Sequence, residues 1–382
     1  MEPVYVVKAL RTPIVKKNGV FRSLPPEKLG AVLLQTLQRD CGLKQIDGII
    51  GGNAVGTGGN ITRLTALMAG LDEGIPAYTV DMQCASAAAA LDLAYSKISS
   101  GQGDVWLAGG MESSSLQPLR VYASQDERYR MTPDQDGKYY TAQFAPGDMA
   151  PDTMLRGAER VAAQEGITRE ELEEWALISH RRAAGAAAKN LLQDSIVPIE
   201  GWQQDDGIRP RMSAALLKRL PLLLGPGTTL TAGSACTIND GAAFAVLASE
   251  GYVQRQGIKP MARILGVASL GGNPVESPRG AMRTADVLLK RLGLTYEELQ
   301  AIEFNEAFAV IDVLFAREHP ACKERYNRLG GALAYGHPYG ASGAILLVHL
   351  LESLRLAGGG RGILSIAGAG GMGEAIVLEL MK

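Results

Sequence analysis

Short apolar runs alternate with longer amphipathic stretches from the start of the chain. Residues 5–9 read as a strand, Leu29, Val32, Leu33 and Leu37 share one face of a helix, and residues 46–50 read as a further strand. Pro25 and Pro26 stand at the start of that helix and Gly42 just past its end. Proline suits the first turn, where its missing N–H would have no partner anyway, and glycine suits the left-handed turn that closes a helix. The alternation predicts α/β layers.

The texture changes after Ser113. Residues 125–143 are polar and charged, and residues 152–192 read as helices joined near Gly166; α/β texture returns over 229–248 and again over 262–267. An internal echo flanks this excursion. Cys84-Ala85-Ser86-Ala87 opens a small-residue helix, followed by Gly101, a strand at 105–108 and Gly109-Gly110-Met111. Gly340-Ala341-Ser342-Gly343 opens another, followed by Gly358, a strand at 363–367 and Gly370-Gly371-Met372. The repeated order predicts two related halves, residues 1–250 with an inserted loop domain at about 113–230, and residues 258–382.

A chain of 382 residues has ample material for large cores. Lys and Arg number 38 against 40 Asp and Glu. That balance lacks the basic footprint of a nucleic-acid binder or an anionic-membrane binder, so a small-molecule substrate is expected. Cys41, Cys84, Cys236 and Cys322 are too few and too dispersed for a disulfide scaffold. No signal-peptide pattern or long apolar run is evident, and a cytoplasmic protein with reduced thiols is expected.

Three segments carry candidate chemistry. Cys84 follows a strand-like run at 77–81 and precedes a helix-forming run at 85–98. A helix N-terminus there would favour a thiolate, lowering a thiol pKa from ~8.5 toward ~3.5–7.5; the alternative is a small buried hydrophobe. His337 lies in a glycine-crowded loop, 330–343, where backbone can approach a ligand, whereas His180 and His349 sit within helical patterns and read as structural. Asn305-Glu306-Ala307-Phe308 follows a strand at 301–304, where open α/β sheets place site residues; Asn305 could equally cap the next helix.

Gly368-Ala369-Gly370-Gly371-Met372-Gly373 satisfies a dinucleotide fingerprint. The following residues, 374–380, alternate like a strand rather than opening a helix, so that reading fails. His319 and Cys322 lack further clustered ligands, and a metal site is not expected.

Taken together, these segments resemble the thiolase family from end to end. The resemblance is carried by Arg11-Thr12-Pro13, Cys84-Ala85-Ser86, Ala108-Gly109-Gly110-Met111-Glu112-Ser113, and Thr231-Ala232-Gly233 through Ile238-Asn239-Asp240-Gly241-Ala242-Ala243. The Asn305 box, Gly336-His337-Pro338-Tyr339-Gly340-Ala341-Ser342-Gly343 and Gly370-Gly371-Met372-Gly373 complete it in the family's order. It implies a five-layered αβαβα fold of two βαβαβαββ halves, a homodimer or homotetramer, and acyl-CoA C-acyltransfer by Claisen condensation or thiolysis. Coenzyme A or acyl-CoA would be a substrate, with no permanently bound cofactor.

By the same resemblance Cys84 is the acylated nucleophile and His337 takes its proton, then faces the thioester oxygen. Asn305 would fix a water or share that first oxyanion site, and the N–H groups of Cys84 and Ala369 would form a second. Losing one such donor typically costs ~10²-fold to 10³-fold in rate. Gly233, Ser234, Arg209 and Arg211 fall where the family meets coenzyme A, although the two arginines read equally well as solvated surface.

The chain departs from the family at Ala367, where the second cysteine, the acid/base at the substrate α-carbon, normally stands. Loss of a positioned acid/base commonly removes ~10² to 10⁴ of rate. Cys236 occupies a position where the family usually has serine, and either replaces that thiol or merely packs. Ala87 replaces a glycine, with consequences for the acyl pocket or helix packing, and residues 276–286 lack the family's methionine-glycine segment. A second function class therefore stays open: a condensation-deficient scaffold subunit of a multienzyme complex. Retention of Cys84, Asn305 and His337 argues against it, since a scaffold has no physical need for those three groups.

Overall fold

The structure, a computed structural model, describes residues 2–147 and 150–381. Its strands are β1 (Val4–Arg11), β2 (Val15–Lys16), β3 (Gly48–Gly52), β4 (Ala77–Val80), β5 (Val105–Ser113), β6 (Arg120–Val121), β7 (Lys138–Tyr139), β8 (Asn239–Ser249), β9 (Ala262–Leu270), β10 (Ala301–Phe304), β11 (Gly360–Gly368) and β12 (Met372–Leu380). Among the described residues ten form one sheet, ordered β10-β11-β12-β9-β1-β8-β5-β3-β4 with β2 beside β8.

The first half contributes β4, β3 and β5 in parallel, then β8 antiparallel between β5 and β1. The second half repeats the arrangement with β10 parallel to β11, then β12 and β9 antiparallel. Among the described residues β4 has no full counterpart there; a single parallel bridge, Ile302 to Tyr326, occupies that edge. The halves join where β1 pairs β9 through Val4, Tyr5 and Val6.

Two helices, Ser86–Ser99 and Ser342–Leu356, lie between the half-sheets, each packed on strands of both. Pro26–Asp40 covers the outer face of the first half-sheet and Gly280–Leu292 that of the second, which completes five αβαβα layers. Pro26–Asp40 buries Leu29, Leu33, Leu34 and Leu37, each contributing roughly 1.5–3 kcal/mol by transfer from water. The central helices are small-residue helices because the halves meet backbone to backbone. A Cβ on Gly343 would stand 2.3 Å from the Ala88 nitrogen, too close for any side chain. Ala87, in place of the expected glycine, is fully buried in this shared core, so its methyl bears on helix packing.

Between β5 and β8 the chain leaves the layers, forming the β6–β7 hairpin and the helices Thr153–Gln164 and Arg169–Ala188. The longer helix begins with a capping box at Thr168 and Glu171, which satisfies donors that its first turn would leave bare. Buried Glu306 ties this excursion to the second half: it accepts the Ser179 hydroxyl at 2.6 Å and the Leu333 N–H at 3.2 Å.

Candidate active site

Cys84 sits at a strained corner. Gln83 before it adopts φ 54°, the left-handed region that an ordinary side chain enters at a cost of order 1–3 kcal/mol. The corner is held locally: Asp81 accepts the Gln83 N–H at 2.9 Å, and the Ser86 hydroxyl accepts the Met82 N–H at 2.9 Å while donating to the Gln83 carbonyl at 2.6 Å. No pattern in the sequence marked Gln83, because a positive φ at a non-glycine residue leaves no compositional trace.

The helix after this corner begins at Ser86 with Ala85 as its cap, so Cys84 lies just outside the first turn. This corrects the expected thiolate. Burial pushes the thiol up to about 12, outweighing the N–H groups of Cys84 and Ala369, which pull the other way, while Glu112 adds to the rise. Both amides expected as oxyanion donors are thus directed at this sulfur.

His337 follows Gly336, whose φ of 100° lets the loop pass hard against Asn239; any Cβ there would collide with the Asn239 amide. The His337 N–H bonds the Thr237 carbonyl at 3.0 Å and the Asn239 carboxamide oxygen at 3.1 Å. Its Nδ1 lies 2.5 Å from Ser342 Oγ, and that hydroxyl donates its hydrogen to the Pro338 carbonyl at 2.9 Å. Ser342 must therefore accept from Nδ1–H, which leaves the lone pair on Nε2. Burial lowers the His337 pKa to about 3, so the ring is neutral at ordinary pH.

Asn305 places Nδ2 3.4 Å from that Nε2. It does not cap the next helix, which begins at Ala309 with Phe308 as cap. Its backbone N–H bonds the Ser365 carbonyl at 3.0 Å, which fixes it at the end of β10. Tyr339 links the groups: its ring stands edge-on to the His337 imidazole with centroids 4.9 Å apart. Its phenol is raised by burial and then by Cys236, Cys84 and Glu112.

Glu112, at the end of β5, binds the crossing loops of both halves, accepting Ala54 N–H and Gly340 N–H at 2.9 Å each and the Asn53 amide at 2.8 Å. Burial raises it to about 7 against those hydrogen bonds. The Gly-Gly-Met-Glu box gave no hint of this strapping role.

Arg209 and Arg211 are exposed and line a cavity of about 480 Å³ with Leu216, Leu217 and Leu220. A short helix, Ala214–Leu217, capped by Ser213, follows them. The Arg209 N–H donates to His180 Nδ1 at 3.1 Å, so His180, buried and lowered to about 4, orients this segment. Gly233 abuts the same wall, since a Cβ there would meet Leu217 at 2.3 Å. Ser234 departs from expectation. Its side chain is fully buried and spent on Thr231, accepting that residue's N–H at 3.0 Å and donating to its carbonyl at 3.2 Å, so it does not reach the cavity.

Ala367 is buried on β11 opposite Gly373 of β12. A Cβ on Gly280 would lie 3.5 Å from its methyl, so the segment that departs from the family stands behind this position. Among the described residues no group of three or more His, Cys, Asp or Glu side chains is arranged to hold a metal ion, and no helix is long and apolar enough to cross a membrane.

A chain built from two αβ halves around a half-buried Cys84 and the buried His337 and Asn305 invites comparison with acyl-transferring enzymes. The family model described as "Thiolase, N-terminal domain" matches residues 4–251 and that described as "Thiolase, C-terminal domain" matches residues 258–380. The chain belongs to the thiolase family and is an acyltransferase.

It is 32% identical over 389 residues to the steroid 3-ketoacyl-CoA thiolase FadA6 of Mycobacterium tuberculosis, covering 99% of this chain and 94% of that one. The crystal structure of the Bacillus anthracis acetyl-CoA acetyltransferase matches with a TM-score of 0.90 at 28% identity, covering 100% of this chain and 99% of the other. Human mitochondrial 3-ketoacyl-CoA thiolase in complex with CoA matches with a TM-score of 0.92 at 28% identity, covering 100% and 98%.

Proposed function

We propose that this acyltransferase carries an acyl group from coenzyme A as a thioester on Cys84 and passes it on in thiolysis or Claisen condensation. The observation that carries this reading is that the N–H groups of Cys84 and Ala369 both act on the Cys84 sulfur, which is close enough to Tyr339 to raise its phenol, while the Tyr339 ring stands edge-on to the His337 imidazole, whose Ser342 contact leaves the lone pair on Nε2. His337 takes the Cys84 proton as the sulfur attacks a thioester or ketone carbon. The negative charge that develops on oxygen then falls to preorganised N–H donors, which act strongly where water is excluded. Asn305 Nδ2 lies 3.4 Å from the same Nε2 that receives the proton.

Coenzyme A enters with its nucleotide end in the cavity of Arg209 and Arg211, and its arm runs past Gly233 toward Cys84. All four cysteines are free thiols, which suits a reducing compartment such as the cytoplasm. The chain acts as a homodimer or homotetramer, which light scattering in solution would test. The chemistry is tested by incubating the protein with acetyl-CoA and measuring intact and peptide masses. An acetyl adduct on the Cys84 peptide is expected; an unmodified Cys84 peptide overturns the reading.

A further inference from the structure

We propose that Cys236 is the acid and base that moves the proton at the substrate α-carbon, in place of the thiol that Ala367 lacks. This rests on the reading of Cys84 as acyl carrier. The placement is geometric. Cys236 is clamped between the two loops of the site: its N–H bonds the Ala307 carbonyl at 3.0 Å, beside Asn305, while the next residue, Thr237, accepts the His337 N–H at 3.0 Å. Bridges from Ala235 to Phe308 and from Ile238 to His337 flank it on both sides.

Cys236 is only partly buried and packs against the same apolar cluster that contains Ala367. The Cys84 sulfur is also near enough to disfavour ionisation of Cys236, after burial has already raised the Cys236 thiol. A protonated thiol is the form required of an acid in the cleavage direction.

The step balances as follows. His337 Nε2 takes the Cys84 proton, and Cys84 Sγ bonds the ketone carbon of a 3-ketoacyl thioester. The bond between that carbon and the α-carbon breaks, and its electron pair goes to the α-carbon, which takes the Cys236 proton and leaves as a shorter acyl-CoA. The Cys236 thiolate then removes the proton of an incoming coenzyme A thiol. The coenzyme A sulfur displaces Cys84 from the acyl carbon, and Cys84 recovers its proton from His337.

The test compares the full-length protein with Cys236→Ala, Cys236→Ser and the double variant Cys236→Ala with Ala367→Cys. Two readouts are taken in parallel: acetylation of Cys84 by mass, and exchange of the methyl hydrogens of acetyl-CoA with deuterated water by NMR. Both single variants are expected to form the Cys84 adduct yet lose exchange by about 10²-fold or more, and the double variant to recover at least about tenfold. Exchange within about threefold of wild type in a single variant that acetylates would overturn the assignment. Failure of the wild type to acetylate would instead overturn the acyl-carrier reading, and with it this one. The isosteric serine variant serves should the alanine variant fail to fold.

Discussion

Arg11 and Asp205 stand 194 residues apart in sequence and form a two-pronged ion pair, with Nη1 to Oδ1 at 2.8 Å and Nη2 to Oδ2 at 2.7 Å. The arginine side chain is 0% exposed and the aspartate 7%. Asp205 also accepts the Ile14 N–H at 2.8 Å, so this pair anchors the excursion's return to the first strand of the sheet. The excursion carries the cavity proposed for coenzyme A, and Arg209 lies only four residues beyond the anchor.

Removing one partner of a buried pair strands the other charge, at a cost of about 3–5 kcal/mol. Asp205→Asn is therefore expected to lower stability by that order in urea denaturation. It should also raise KM for acetyl-CoA by loosening the segment that bears Arg209. A loss under about 1 kcal/mol would mean that the guanidinium is hydrated after all.

Ser342→Ala removes the acceptor of the His337 Nδ1–H. A buried donor left without a partner costs about 1–3 kcal/mol, and the ring is freed to adopt the other tautomer. Acetylation of Cys84 followed by rapid quench is expected to slow about tenfold to a hundredfold, with the fold intact by circular dichroism. An unchanged acetylation rate would show that the imidazole is positioned without Ser342.

The pH dependence of Cys84 follows from its environment. Burial pushes the thiol up to about 12 and His337 down to about 3, and both shifts disfavour a thiolate–imidazolium pair at rest. Because only the thiolate reacts, iodoacetamide alkylation of the Cys84 peptide should rise about tenfold per pH unit between about pH 6 and 9 without levelling. A plateau near neutrality would show that the proton already resides on the imidazole.

Replacing both Arg209 and Arg211 with alanine should raise KM for acetyl-CoA about tenfold, an effect that weakens with added salt because both side chains are exposed. The N-acetylcysteamine thioester lacks the nucleotide, and its kcat/KM should change far less. Equal loss with both substrates would remove the arginines from coenzyme A binding.

Patterning and motif order carried much of this protein by themselves. The layered fold, the helix with Leu29, Leu33 and Leu37 inward, and the identity of Cys84, Asn305 and His337 as candidates were all legible, because periodicity and turn chemistry are local properties. The reading of His180 and His349 as structural also agrees with their burial, and His180 additionally holds the Arg209 backbone. Other features depended on residues distant in sequence. The Cys84 thiol is governed by the burial and charge of its surroundings, including Glu112, and not by the helix start next to it. Ser234 is drawn inward by Thr231, and the tautomer of His337 depends on whether Ser342 gives its one hydrogen to Pro338 or to the ring. Desolvation and the sharing of hydrogen bonds arise only when the chain closes on itself. They decided which candidate groups are available for chemistry, and a linear string of residues records neither.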